Sequence, residues 1–320
     1  MPPAFIEDLD SLAPPNADTP SHIAVGTFDG LHRGHRELIT HVAEEARAQQ
    51  ARSLVFTFRN HPRSVVDPTN CPPLISPWPL KRRLLAALPV DGVVAVEFTP
   101  SFSAIEPEDF VRDILLRRCQ ARSIHSGANF RFGHNARGDA ALLQDLARQH
   151  GFEYRPLTFV EIEGEVISST RVRRCLREGH VGEAARLLGR PHQISGTVVM
   201  GDQLGRTIGF PTANIVPQPG SFLPGDGVYA VAVAINDESQ CHPAMMNIGY
   251  RPTVDGRQHR VEVHLLDFDG DLLHATLTIL FIERLRDEKR FPDLQHLRDQ
   301  LSSDRISAHA VLLGRDFIPA

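Results

Sequence analysis

The spacing of apolar residues changes character part-way along this chain, and no other feature constrains its fold as strongly. In the first half, short apolar runs alternate with helical patterns. His22 to Gly26 and Ser53 to Phe58 read as buried strands, and between them Leu38, Ile39, Val42, Ala43 and Ala46 recur at helical spacing. The rhythm continues with a strand at Gly92 to Phe98, a helix at Pro107 to Cys119, a strand at Arg122 to Ser126 and a helix at Asp139 to His150, which Asp139 is placed to cap. Repeated strand–helix–strand units predict an α/β doubly wound parallel sheet.

After Leu187-Leu188-Gly189-Arg190-Pro191, Gly and Pro can stop a helix and the pattern turns strand-like, at Ile194 to Met200, Val228 to Ile235, Arg260 to Leu266 and Ala275 to Ile282. Val261, Val263 and Leu265 alternate with Arg260, Glu262 and His264, so one face of that strand is buried and Glu262 faces solvent or a cleft. The economical reading is a small antiparallel β-barrel followed by C-terminal helices at Asp293 to Leu301 and Ile306 to Leu313. The predicted domains are 1–189 and 190–320. The length of 320 residues suits two cores. The Pro-rich start is expected to be disordered.

Charge and cysteines narrow the function classes. With 34 Lys+Arg against 39 Asp+Glu, a net charge of −5 argues against a nucleic-acid-binding coat. Cys71, Cys119, Cys175 and Cys241 lie far apart with no CxxC, which predicts free thiols in a reducing cytoplasm. No run approaches about 18 apolar residues, the length of a membrane span, and the acidic opening lacks the pattern of a secretion signal.

Gly26-Thr27-Phe28-Asp29-Gly30-Leu31-His32-Arg33-Gly34-His35 falls where a strand gives way to a helix. Doubly wound sheets bind ligands there, and the helix start offers unpaired N–H groups to phosphate. His32 and His35 could both donate to phosphate oxygens. A zinc reading of that pair needs more ligands, and no nearby Cys supplies one. Ser168, Ser169 and Thr170 start another helix, with Arg171 and Arg173 as cationic forks suited to pyrophosphate; standing alone, the segment reads rather as a plain N-cap with surface arginines. Gly201 to Asn214 is glycine-rich but lacks the GK[ST] ending of a P-loop. Its glycines can turn N–H groups to phosphate, and Thr212 beside Asn214 offers the hard oxygens Mg²⁺ prefers; a glycine-rich hairpin fits as well.

Gly26 to His35 matches GxFDGxHxGH, and Thr57-Phe58-Arg59-Asn60-His61-Pro62, Gly127-Ala128-Asn129-Phe130-Arg131-Phe132-Gly133 and Ile167 to Arg173 follow in order. Gly201 to Asn214 completes GxxxGRxxGFPTAN, followed by Asn247 to Thr253, Val261 to Phe268 and Leu285 to Phe291. With these motifs the chain resembles the bacterial bifunctional riboflavin kinase and FAD synthetase family over nearly its whole length. The resemblance implies a Rossmann-like nucleotidylyltransferase domain that transfers AMP from ATP to FMN, then a barrel that phosphorylates riboflavin.

It further implies ATP or phosphate contacts at Gly26, Phe28, Asp29, Gly34, Ser168, Ser169, Thr170 and Arg171 in the transferase, with His32 and His35 catalytic. In the kinase it implies such contacts at Gly201, Gly205, Arg206, Gly209, Pro211 and Asn214. Glu262 becomes the base on riboflavin, Thr212 and Asn214 the Mg²⁺ ligands, and Phe58, His61, Asn129, Arg286 and Glu288 the flavin contacts. Partners would be ATP, riboflavin and FMN alone, with no nucleic acid, membrane or obligatory protein partner. Two alternatives stay open: only one activity, or a flavin-binding regulatory protein without catalysis. The chain departs from the family pattern at Asn60, where Pro is common, at Asn129, where Asp is frequent, and at Asp271-Leu272-Leu273-His274, which stands in place of DLYG.

Overall fold

Six parallel strands make the first sheet: β1 (Ala4–Ile6), β2 (Ser21–Val25), β3 (Arg52–Phe58), β4 (Gly92–Val96), β5 (Ala121–Gly127) and β6 (Glu153–Leu157). Their spatial order is β1-β4-β3-β2-β5-β6. The computed structural model describes residues 2–9, 11, 19–157, 161–201, 204–236, 238–253 and 256–320. Contacts divide the chain into two units, 1–168 and 169–320.

Alternate residues of the strands feed two cores. Ile23, Val25, Phe56 and Val94 pack with Ile114, Leu115, Leu143 and Leu146 on one face. On the other, Ala24, Val55 and Val93 pack with Leu38, Ile39, Val42 and Ala43 of helix α1 (Arg33–Ala48) and with Leu84 and Leu85. Burial of both faces explains why the strands read as near-continuous apolar runs. The buried residues of α1 are the five whose spacing predicted it, and Asp139 caps the helix Ala140–His150 by accepting from the Leu142 N–H at 3.0 Å.

The structure corrects three expectations. The helix expected from Pro107 is a short α-turn followed by a π-helix, Phe110–Arg118, whose buried Phe110, Val111, Ile114 and Leu115 repeat at four-residue steps that a wider turn keeps on the sheet side. Within the start expected to be disordered, β1 pairs with β4, and Phe5 meets the Trp78 ring edge-on at 6.3 Å; residues 12–18 of that start lie outside the described residues. The two expected C-terminal helices are one, Leu294–Leu312, capped by Asp293 and continuous through Ser302–Arg305 because Asp304 turns inward to an ion pair.

A two-stranded antiparallel pair, β7 (Glu161–Ile162) and β8 (Glu165–Val166), ends the first unit. In the second unit, β9 (His192–Val199), β10 (Ala213–Pro217), β11 (Gly227–Ile235), β12 (His242–Thr253), β13 (Gly256–Leu265) and β14 (Thr276–Arg286) close an antiparallel barrel in the order β10-β13-β12-β11-β14-β9. Closure leaves no free sheet edge. All nine residues of β11 are buried, and the helix Leu294–Leu312 packs against β11, β12 and β14. The helix Val181–Leu188 covers β14 and β9, burying Val181, Ala184, Leu187 and Leu188. Strands β10 and β12 were not anticipated, since Pro217, Pro243, Gly249 and Pro252 interrupt their alternation.

Candidate functional sites

The loop between β2 and α1 is held in a conformation that side-chain-bearing residues resist. Phe28 and Leu31 have φ of 49° and 40°, the left-handed region that non-glycine residues seldom occupy outside special sites. The buried Phe28 ring folds back over Gly26 so closely that a Cβ there would lie 2.9 Å from it. Asp29, buried, accepts the backbone N–H groups of Ile75 and Ser76 at 3.2 and 3.0 Å. Its carboxylate therefore ties the loop to the segment before the helix Trp78–Ala86.

Beneath the loop lies Lys81, which sequence reasoning missed. Its buried ammonium donates to the Thr27 and Phe58 carbonyls and to the Thr57 hydroxyl. Burial pushes its pKa down to about 7, with Asp29 acting the other way. A lysine in an amphipathic helix ordinarily reads as surface, so no local signal marks it.

His32 and His35 stack, with ring centroids 3.5 Å apart. The Nδ1 of His32 accepts the His35 backbone N–H at 3.3 Å, which places the proton of its neutral ring on Nε2. Burial, then the neighbouring His32 and Lys81, hold His35 well below the usual imidazole pKa. Gly34 lies in the first turn of α1.

Strands β3 and β5 flank β2, so the loops leaving all three share the carboxyl edge of the sheet at its switch point. Phe58 ends β3 in a cluster with Phe56, Phe98 and Phe102. His61 follows, its Nδ1 accepting the Arg63 N–H at 3.1 Å. Asn60 exchanges hydrogen bonds with the Phe98 backbone at 2.7 and 2.9 Å, tying the ends of β3 and β4 together, which gives this departure a structural role. Asn129 is exposed just past β5, beside Gly127. Ser168 closes the first unit.

Ser169, Thr170 and Arg171 open the helix Ser169–Arg177 in the second unit. There the mostly buried Arg171 pairs with Glu183 at 3.1 Å.

The barrel unit holds a pocket of about 220 Å³. Gly205, Thr212, Glu262, Arg286 and Glu288 line it, together with Arg260, His264, Lys289 and Phe291, which were not singled out beforehand. The alternation along β13 was the available signal: Val261, Val263 and Leu265 are buried, and Arg260, Glu262 and His264 face the cavity. Arg260 pairs with Glu262 at 3.1 Å. The Nδ1 of His264 lies 2.7 Å from the Pro211 carbonyl, to which it donates, leaving Nε2 as an acceptor. Burial lowers its pKa.

Gly201, Arg206, Gly209, Pro211 and Asn214 are not among the lining residues. Asn214 pairs with Glu262 across β10 and β13, and its amide lies against Gly201. Asp202 and Gln203 lie outside the described residues, as do the side chains of residues 250–253. The Glu288 carboxylate lies over Gly249, where any Cβ would collide with it. Arg286 grips Asp304 with Nε at 2.9 and 3.0 Å and Nη2 at 2.7 Å, and lies 5.7 Å from the Phe291 ring. Bidentate pairing of this kind fixes the guanidinium plane.

A wound sheet with a phosphate-ready turn and a closed barrel whose pocket joins charged to apolar side chains belong to the class of a two-site transferase. Family models for FAD synthetase and riboflavin kinase match residues 15–171 and 188–312. The bifunctional riboflavin kinase/FMN adenylyltransferase of Escherichia coli K12 is 39% identical over 89% of this chain and 91% of its own length. That of Pseudomonas fluorescens is 37% identical over 90% and 91%. A crystal structure from Streptococcus pneumoniae, titled a macrolide-efflux protein, has 31% identity and a TM-score of 0.84, covering 97% of this chain and 99% of that one. The chain belongs to the bifunctional riboflavin kinase/FMN adenylyltransferase family. Among the described residues, no helix is long and apolar enough to cross a membrane.

Proposed function

We infer that the two sites act in succession, the barrel converting riboflavin and ATP to FMN and the sheet unit converting FMN and ATP to FAD. The chain is a riboflavin kinase and an FMN adenylyltransferase. The observation that carries the division of labour is the barrel pocket, where a candidate base, a hydroxyl and two flavin-site candidates meet around one cavity.

In the kinase, Glu262 takes the proton of the riboflavin 5′-hydroxyl as that oxygen attacks the γ-phosphorus, and ADP leaves. Arg260 holds the Glu262 carboxylate in place. Arg286 and Glu288 border the flavin, Arg286 fixed from behind by Asp304. Gly201, Gly205, Arg206, Gly209 and Pro211 bind the nucleotide. Thr212 and Asn214 would hold Mg²⁺: their hydroxyl and amide oxygens are the hard donors it takes, Thr212 lines the pocket, and Asn214 is paired with Glu262. Bound there, the ion offsets charge on the ATP phosphates.

In the transferase, the FMN phosphate attacks the α-phosphorus of ATP and pyrophosphate leaves, a reaction that asks for alignment more than covalent participation. His32 donates through Nε2, and neutral His35 beside it steadies the same phosphates. Gly26, Phe28 and Gly34 shape the loop, and Asp29 holds it from within. Ser168, in the same unit, receives pyrophosphate, and Phe58, His61 and Asn129 place the flavin. Four free thiols support a cytoplasmic location.

Chromatography of riboflavin incubated with ATP tests the scheme: FMN, then FAD, is expected. FMN without FAD removes the adenylyl step, and no product from riboflavin alongside FAD from supplied FMN removes the kinase. Domains of 1–189 and 190–320 working separately are also proposed. A fragment starting at Arg190 is expected to phosphorylate riboflavin. One starting at Ser169 keeps the helix Val181–Leu188 over β9 and β14. Activity of the longer fragment alone would move the boundary before that helix.

A further inference from the structure

Away from both candidate sites, the first unit buries a polar cluster that the flavin chemistry does not use. His22 near the start of β2 and His125 on β5 are 1% and 0% exposed. Pairing of His22 with Ser123 and of Ala24 with His125 sets both rings on the sheet face that α1 covers. Glu45, in the last turns of α1, comes down onto them. One ligand atom from each of His22, Glu45 and His125 lies within 4.8 Å of the other two. The cluster sits 12 residues along α1 from its first residue, Arg33, or about 18 Å at the rise of an α-helix.

Four buried polar atoms in this group have no hydrogen-bond partner: both ring nitrogens of His22, Nδ1 of His125 and Oε2 of Glu45. Buried polar groups are otherwise almost always paired, because an unmade bond leaves desolvation uncompensated. The surrounding groups orient the three side chains without saturating them. Arg155 holds the other Glu45 oxygen, Oε1, at 2.6 Å. The Ser123 hydroxyl lies 2.7 Å from His125 Nε2. His41, half exposed, brings Nε2 to 3.8 Å from Glu45 Oε2. Outer-shell partners of this kind accompany metal ligands.

We propose that His22, Glu45 and His125 form a buried site for a zinc-class divalent transition-metal ion, with His41 or water completing its coordination. Two imidazoles and one carboxylate are a donor set that suits Zn²⁺ and its neighbours rather than Mg²⁺ or Ca²⁺. Burial lowers the pKa of His22 and pushes that of His125 down to about 3, so both rings keep lone pairs for a metal at neutral pH. The ion would fasten the far end of α1 to β2 and β5, and α1 begins at the His32 and His35 loop.

The test uses the full chain, purified without a polyhistidine tag and stripped with a chelator. Zn²⁺ competed against a chromophoric indicator is expected to bind at about one per chain and to raise the thermal midpoint. Loss of outer-shell partners alone weakens metal sites about 10- to 100-fold, so His22→Val and Glu45→Gln are each expected to weaken binding by about 100-fold or more. Both should abolish the thermal shift. A His32→Ala/His35→Ala double variant should bind as the parent does; loss of binding there would assign the metal to the phosphate loop and overturn the proposal. Co²⁺ absorption of the unsubstituted protein needs no variant to fold: intense tetrahedral or five-coordinate bands are expected, and the weak spectrum of aqueous Co²⁺ would overturn the proposal.

Discussion

The sheet and the barrel assemble their sites from different kinds of residue. In the sheet unit the candidate residues sit on loops leaving β3, β2 and β5, and the backbone itself is specialised, with Phe28 and Leu31 at positive φ and Lys81 pinned beneath. In the barrel they include the alternate residues Arg260, Glu262 and His264 of the regular strand β13, which reach the cavity. A loop site depends on a buried scaffold outside its own motif. A strand site depends on register, which closure of the barrel fixes.

The largest effect should come from the strand. Glu262→Gln is expected to lower FMN formation by about 10²–10⁴-fold, the usual cost of a lost general base, while FAD formation from supplied FMN stays unchanged. A normal kinase rate would remove Glu262 from that role and with it the contrast. His35→Ala is expected to do the converse, lowering FAD formation by about 10²–10³-fold, comparable with losing a transition-state hydrogen bond. Equal loss of both activities would show that the two regions are not separate.

Replacing a buried anchor should cost the sheet unit more than its surface position in a helix pattern suggests. Lys81→Met strands the acceptors Thr27 O, Thr57 Oγ1 and Phe58 O, and is expected to destabilise that unit by about 1–3 kcal/mol in denaturant titration, the cost of an unsatisfied buried group. Unchanged stability would mean that the loop supports itself.

Acid should bear on both units through buried histidines. His125 is pushed down to about 3 by burial and then by His22, His41 and Arg155. Unfolded chain therefore takes up a proton that the folded chain refuses, so this contribution is intact above about pH 6.5 and lost as pH falls from there toward 3. With chelator present, His125→Val should flatten the acid limb of the stability curve; an identical limb would discount the residue. The barrel has its own counterpart in His192, pushed down to about 4 and bonded to the Phe222 carbonyl.

The smallest change concerns His274. It stands where the family pattern has glycine and takes φ of 66°. His274→Gly removes strain of about 1–2 kcal/mol but returns freedom to the unfolded chain. A net gain of about 1 kcal/mol or less is expected by calorimetry, with a destabilised variant arguing that the imidazole compensates.

Periodicity made the architecture legible: the five inward residues of α1, the Asp139 cap and the alternation of core-facing and cavity-facing residues from Arg260 to Leu265 all follow from the sequence pattern. What escaped depends on distant partners. Lys81 is buried because three acceptors from other segments surround it. The C-terminal helix runs unbroken because Asp304 finds Arg286. Strand β12 is paired on both sides despite Pro243, Gly249 and Pro252. Motif order marked Gly205, Thr212, Glu262, Arg286 and Glu288, and spacing put Arg260 and His264 on the same face of β13, yet Leu297 and Leu301 join the pocket only through the fold.

The clasp between Arg286 and Asp304 has one more consequence. The same guanidinium lines the cavity and is gripped by Asp304 of the terminal helix, so a shift of the helix is felt at the cavity wall. Trimming or re-engineering that helix is therefore surgery on the barrel cavity, because the wall it braces would lose its buttress.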